Sequence, residues 1–162
     1  MKDDGKALEM VARTALSGKG AHVQTREVFS GLSWQAAGSK PRGVSHSVYQ
    51  FLGHIIYWQD WVLAWLEGES PASPRHASGS WPDEAGPSSR RDWDDAVRKF
   101  QGGLVKLERA CRGADLSSRR GRKSRLEMIH TIAAHNSYHA GQVVFLRQML
   151  GKWPPPSGGL TW

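Results

Sequence analysis

The sequence predicts an all-α protein, a four-helix bundle with a long crossover between helices 2 and 3. Four stretches of the 162 residues repeat apolar side chains at helical spacing, and none has the alternation of a strand ladder. Four prolines lie within residues 69–91, a Pro-, Ser- and Gly-rich segment that cannot form a long helix. We therefore expect residues 1–162 to form a single domain in which 69–91 is a surface crossover loop.

The first predicted helix begins near Asp3 or Asp4 and carries a stripe of apolar residues. Gly18 and Gly20 are expected to break it, because glycine is a poor helix former. The helical pattern then resumes through Phe29. The N-terminal part is therefore predicted to be an interrupted helix.

The second predicted helix follows a loop over residues 33–44 and contains mostly apolar and aromatic residues. Ser47 with Gln50 three residues later has the pattern of a capping box, which indicates the beginning of a helix. The apolar pattern continues to Leu66, and Gly68 is a natural C-terminal stop.

The third and fourth predicted helices complete the bundle. The third begins between Ser89 and Asp92, and its apolar residues alternate four- and three-residue steps: Trp93, Val97, Phe100, Leu104, Leu107 and Cys111. The fourth runs from about Ser124 to Leu150 and is apolar on nearly all sides. We expect it to be the most buried helix of the protein.

Charge and apolar content restrict the other classes of function. The formal net charge is +7, but much of the excess lies in residues 119–125, a predicted turn between helices with no nucleic-acid-binding motif. Nucleic-acid binding is therefore the disfavoured alternative. No apolar run is long enough for a membrane span, and the N-terminus lacks the apolar core of a secretory signal, so we expect a cytoplasmic protein. The single cysteine, Cys111, is expected to be a small apolar residue in a helix interface.

The fourth helix carries the most informative pair of residues, His135 and His139. At a spacing of i and i+4, both imidazoles project from one face and can reach a single ion. His54 lies in the middle of the second helix, with Trp58 and Trp61 on the same side. Taken alone, His54 also fits a core residue that donates one hydrogen bond. Facing the histidine pair across a bundle core, it completes a three-histidine metal site with an open coordination position.

Four other residues are weaker candidates, either as hydrogen-bond partners of the ligands or as part of the pocket around this site. His22 follows the glycine break, where the chain can turn it toward the bundle centre as a fourth ligand or an outer partner. Gln142 lies on the ligand face and could orient a ligand, or be a structural amide. Trp58 and Trp61 would form an apolar wall. Of the remaining histidines, His130 is expected to pack against the bundle. His46 and His76 are expected to be solvated.

Three blocks of this sequence resemble the DinB-like family of four-helix-bundle metal-binding proteins. They are residues 18–23, residues 46–58 and residues 135–147, and the proline-rich tail at 153–159 also fits. The resemblance implies one divalent metal ion, usually zinc or nickel, held by three histidines: His54, His135 and His139. It also implies a homodimer. Some relatives are transferases or isomerases that use low-molecular-weight thiols, and many have no assigned activity.

The leading hypothesis is a metal-dependent enzyme that acts on a small molecule by thiol transfer or by hydrolysis. Thiol transfer is slightly favoured, because no carboxylate falls on the inferred ligand face to act as a general base for hydrolysis. The partners would be a small-molecule substrate and a low-molecular-weight thiol, without a membrane. The alternative is a non-catalytic, stress-related bundle protein whose ion holds the helices together.

Overall fold

Five helices dominate the computed structural model, which describes residues 2–159. The helices are α1 (Lys2–Ser17), α2 (Trp34–Gly38), α3 (Val48–Leu66), α4 (Arg90–Cys111) and α5 (Arg125–Met149). Short 3-10 helices occur at Thr25–Glu27 and Ala77–Ser80. Two strands of two residues each, β1 (Arg119–Arg120) and β2 (Lys123–Ser124), pair in an antiparallel hairpin. The prediction of an all-α protein is confirmed.

The four predicted helices correspond to α1, α3, α4 and α5, and the differences are local. The chain does not resume a helix after Gly20; it forms turns and the Thr25–Glu27 3-10 helix, although Val28 and Phe29 are still buried in the core. The short α2 lies in the predicted loop, where the Ser33 hydroxyl accepts a hydrogen bond from the Ala36 amide and caps it. The β1–β2 hairpin occupies the predicted basic turn. Gly121 lies between its strands with a positive φ of 61°, a conformation that glycine adopts readily.

The two helices that carry the histidines are fixed at their N-termini by capping boxes. In α3, Ser47 and Gln50 exchange side-chain and backbone hydrogen bonds, as the sequence predicts. In α5, Ser124 and Glu127 do the same. These caps satisfy amides that have no partner within the helix and so set where each helix begins.

The long helices contact one another in a ring, in which α3 packs on α4 and α5, and α1 packs on α4 and α5. Arg125 lies at the beginning of α5 and reaches the Leu66 carbonyl at the end of α3 at 3.0 Å. The same guanidinium reaches the Ala110 carbonyl at the end of α4 at 3.4 Å. Because the C-terminal ends of α3 and α4 meet at one side chain, these helices run parallel and require the long crossover between them.

Two apolar clusters fill the interior, and a polar layer lies between them. Along α3, Gln59 falls between Ile56 of one cluster and Val62 of the other. Along α5, Asn136 falls between Ala133 and Ala140 in the same way. Both amide side chains are fully buried. No helix within residues 2–159 combines the length and the apolar character needed to cross a membrane.

The buried thiol of Cys111 belongs to the second apolar cluster, so its predicted place in a helix interface is confirmed. Burial raises its pKa to about 11, and it donates a hydrogen bond to the Leu107 carbonyl. The thiol is therefore neutral and structural at physiological pH.

Candidate metal centre

Helices α3 and α5 bring His54, His135 and His139 together. One ring nitrogen of each lies within 4.8 Å of the corresponding nitrogens of the other two. The His54 and His135 Nε2 atoms are 3.1 Å apart. Within the described part of the chain, this is the one cluster of three or more side chains of metal-binding type.

The spacing of these nitrogens fits a single divalent ion. Zinc binds histidine nitrogen at about 2.0–2.1 Å, so two ligands of a tetrahedral ion lie about 3.3 Å apart. The 3.1 Å approach of His54 and His135 is close to that value, and a ring nitrogen of His139 lies within 4.8 Å of both. Three imidazoles leave the fourth position of a tetrahedral ion open.

Two of the three imidazoles are oriented by oxygen atoms on their far side. The Ser80 carbonyl lies 3.1 Å from His54 Nδ1, so that nitrogen carries the proton and Nε2 presents its lone pair. Gln142 Oε1 lies 2.6 Å from His139 Nδ1 and has the same effect on that ring. Metal-binding histidines in proteins commonly have outer partners of this kind. Gln142 is thus placed where the sequence suggested, next to a ligand.

Burial keeps the imidazoles neutral. Desolvation lowers the pKa of His54 and of His135 to about 4, and it also lowers the pKa of His139. The Ser80 carbonyl and the Gln142 amide oxygen accept hydrogen bonds from His54 and His139, and these bonds partly oppose the lowering of the two pKa values. Neutral rings at pH 7 have the lone pairs that a metal ion requires.

The crossover loop contributes an aromatic side chain that the sequence analysis missed. The Trp81 indole stacks on His54, with ring centroids 4.0 Å apart and an angle of 11° between the planes. It also stacks on His46 at 3.9 Å and 22°. At such distances from one indole, the two imidazoles can occupy only its opposite faces. The expectation that His46 is solvated is therefore wrong, since the ring is half-buried against Trp81.

Several contacts hold the loop against the beginning of α3. The Gln50 amide donates to the Pro82 carbonyl at 3.0 Å, and the Ser47 hydroxyl donates to the Ala85 carbonyl. Pro82 packs against Gly53, where any larger residue would collide with the proline ring. No sequence pattern marked Trp81, because these contacts depend on the tertiary fold and have no period.

Trp58 and Trp61 lie beside the histidines on α3, both half-buried. The Trp58 ring makes edge contacts with His54 and His135 at centroid distances of 6.5 and 6.3 Å. Trp61 contacts Trp58 at 6.1 Å and lies one ring further out. The surroundings of the cluster are therefore aromatic.

His22 is bound to the same stretch of α5 by way of Ser137. Its Nε2 lies 2.9 Å from the Ser137 hydroxyl, and its Nδ1 lies 2.7 Å from the Val23 carbonyl. Both ring nitrogens thus face protein oxygens, and His22 supports the helix between the two ligands. Gly18 is required there, because a β-carbon would collide with the His22 ring.

The remaining two histidines are exposed. His76 lies in the crossover, as expected. His130 does not pack against the bundle as predicted, because it falls on the solvent-facing side of α5.

With this geometry in place, the comparison with known families is decisive. A sequence model of the DinB superfamily matches residues 19–143, which include all three clustered histidines. The chain belongs to the DinB superfamily. The resemblance drawn from the sequence is therefore confirmed. No curated protein and no solved structure matches the chain.

Proposed function

We propose that this DinB-superfamily protein is a divalent-metal-dependent enzyme that acts on a small molecule by thiol transfer or hydrolysis. The observation that carries the proposal is the convergence of three neutral imidazoles within 4.8 Å, with two of them oriented by outer oxygens. The donor set and its spacing suit zinc or nickel. Such an ion would supply a Lewis acid for a thiol or a water molecule.

The surroundings of the histidines favour thiol transfer over hydrolysis. Within residues 2–159, no carboxylate joins the three-histidine cluster, so a general base for activating water is lacking. In thiol transfer, by contrast, the sulfur of the low-molecular-weight thiol is the nucleophile. In such a transfer the thiol releases its proton to solvent and its sulfur bonds to an electrophilic carbon. The bond between that carbon and the leaving group breaks, and its electron pair departs with the leaving group. Trp58 and Trp81 would exclude water and contact an apolar substrate.

A non-catalytic metal-binding protein is the second candidate, and the burial of the ligands favours it. Only 7% of the His54 and His139 surfaces is exposed. Two grooves on the surface, one between α1 and α4 and one beside α2, are not lined by any of the three histidines. In that role the ion would connect α3 to α5.

Metal analysis of the purified protein tests the site. We expect one ion per chain in the wild type and in His130→Ala, a matched control that removes an exposed histidine from the same helix. His135→Ala should lose the ion. Retention of a full equivalent of metal by His135→Ala would overturn the assignment of the site.

Turnover assays separate the two candidate functions. The metal-loaded protein is incubated with low-molecular-weight thiols and small electrophiles, with and without a chelator. Chelator-sensitive loss of thiol supports the enzyme. Strong stabilisation by the ion without any turnover would support the non-catalytic protein instead.

We also propose a homodimer with a cytoplasmic location, in which the four long helices form the four-helix bundle of one domain. The domain would span residues 1–162, of which 1 and 160–162 lie outside the described part. Support for the dimer comes from the exposed apolar side chains of α5, where Tyr138 is 66% and Phe145 is 61% exposed. Light scattering on Phe145→Lys tests it, because a charge in an apolar interface should give monomers.

A further inference from the structure

The three clustered histidines differ in their outer support. His54 and His139 each have an oxygen next to Nδ1, from Ser80 and from Gln142. The Nδ1 atom of His135 is also buried, but it has no hydrogen-bond partner. An imidazole that binds an ion through Nε2 carries its proton on Nδ1 and requires an acceptor there. One acceptor is therefore missing from an otherwise regular arrangement.

The next residue of α5 has an acceptor without a partner. The Asn136 side chain is 0% exposed, and neither its Oδ1 nor its Nδ2 makes a hydrogen bond. A buried amide without partners costs free energy, so its presence in the core needs a reason.

We propose that Asn136 is a positioning residue for His135, whose Nδ1–H donates to Asn136 Oδ1 when the ion is bound. The inference rests on the proposed three-histidine ion site. With this bond, each of the three imidazoles has one oxygen acceptor at Nδ1. The acceptor is a loop carbonyl for His54, an amide one helical turn away for His139 and the adjacent amide for His135. The bond would fix the His135 ring, which contacts His54 and Trp58, in the orientation that presents Nε2 to the ion.

A merely structural role for Asn136 is the competing explanation, and Gln59 provides the control for it. Gln59 is 1% exposed, and its Nε2 is likewise buried without a partner. It faces Gly103 of α4, whose missing side chain leaves room for the amide. If both amides only form a polar layer between the two apolar clusters, replacing either should affect the protein in the same way.

Three variants distinguish the two roles: Asn136→Leu, which removes the acceptor, Asn136→Asp, which keeps it, and Gln59→Leu. Cobalt affinity is measured by competition with a chromophoric chelator, and the visible cobalt spectrum reports the ligand geometry. Urea unfolding of the metal-free proteins reports stability. We expect Asn136→Leu to weaken binding about 10- to 100-fold and to shift the cobalt bands. The metal-free Asn136→Leu protein should be at least as stable as the wild type, because the substitution removes buried polar atoms that make no hydrogen bond.

The controls make the result decisive. Asn136→Asp should bind cobalt within a few-fold of the wild type, and Gln59→Leu should leave both affinity and spectrum unchanged. Wild-type affinity in Asn136→Leu, or an equal loss in Gln59→Leu, would overturn the role of Asn136 but leave the ion site intact. A wild type that binds no cobalt would overturn the proposed function and this inference together.

Nuclear magnetic resonance gives a second measurement that does not depend on a folded leucine variant. In the zinc-loaded wild type, the His135 Nδ1 proton should be shifted downfield and protected from exchange, and further downfield in Asn136→Asp. An Nδ1 proton that exchanges rapidly with water would contradict the proposal.

Discussion

The three-histidine cluster and the basic hairpin differ in what their polar atoms contact, although both concentrate residue types that are common in binding sites. The guanidinium of Arg120 donates to the Trp65 carbonyl at 3.0 Å and to the Ser70 hydroxyl at 2.9 Å. In the cluster, by contrast, one ring nitrogen of each of three histidines converges on the same region, within 4.8 Å of the other two. Residue type alone therefore does not identify a site; the convergence of several ligand atoms does.

The arginines at the hairpin have a structural role that follows from helix geometry. The last carbonyls of α3 have no amide partner within the helix and carry a partial negative charge. Arg120 and Arg125 supply donors to the Trp65 and Leu66 carbonyls, and Arg125 also reaches the Ala110 carbonyl of α4. The positive charge that suggested a nucleic-acid surface is partly used to join the ends of three helices.

The largest expected effect distinguishes the cluster from the hairpin directly. With zinc at about 1,000 times its dissociation constant, the wild type should gain about 4 kcal/mol in free energy of unfolding. His54→Ala should lose this gain, because two imidazoles bind zinc far more weakly than three. Urea unfolding with and without zinc measures it. An undiminished zinc effect in His54→Ala would show that the stabilising ion binds elsewhere.

Periodicity and capping predicted most of the fold. The four long helices, the beginning of α3 at Ser47 and the crossover were all predictable because they depend on local sequence. The prediction of a helix around Val28 was wrong for a physical reason: the segment is buried, and burial gave it an apolar pattern that resembles that of a helix. The fourth helix, α5, was expected to be the most buried helix, but Tyr138 and Phe145 are exposed and α3 has the larger share of buried residues.

The candidate site was predictable only where its residues lie on helices. The spacing of His135 and His139 and the aromatic neighbours of His54 are periodic signals, and the structure brings these histidines together. Trp81 could not be found in this way, because the loop that carries it has no period. The Ser80 contact was also hidden, since its acceptor is a backbone carbonyl that any residue has.

Removal of Arg125 tests the structural role of the hairpin. We expect Arg125→Met to lower the free energy of unfolding by about 1–2 kcal/mol, because the Leu66 and Ala110 carbonyls lose their donor. Zinc affinity should not change. Arg122→Met is the control: its side chain is exposed, so an effect below about 0.5 kcal/mol is expected. Equal losses in both variants would mean that net charge, and not the contact, is responsible.

An effect of pH should appear at the cluster. In the metal-free protein the pKa of His54 and of His135 is lowered to about 4 by burial, whereas the unfolded chain titrates near 6.5. The unfolded state therefore binds more protons between these values, and stability should fall as pH decreases from 6.5 toward 4. Urea unfolding at several values between pH 7.5 and 4.5 measures it. In His54→Ala, stability should decrease less steeply as the pH falls. A wild-type stability independent of pH would contradict the lowered pKa values of His54 and His135.

The smallest expected effect concerns the binding of nucleic acid by the hairpin. Arg119 is exposed, but its guanidinium and that of Arg120 already bond to protein oxygens. Arg122 and Lys123 are the other exposed charges of the turn, and the structure gives neither side chain a hydrogen bond. Two phosphate contacts would give a shallow dependence of affinity on salt, with a slope near −2 on logarithmic axes. Fluorescence anisotropy with a labelled duplex should therefore detect no binding at physiological salt and no difference in the Arg122→Met, Lys123→Met double variant. Tight binding with a steep salt dependence, weakened in that variant, would instead make the hairpin a second functional surface beside the metal centre.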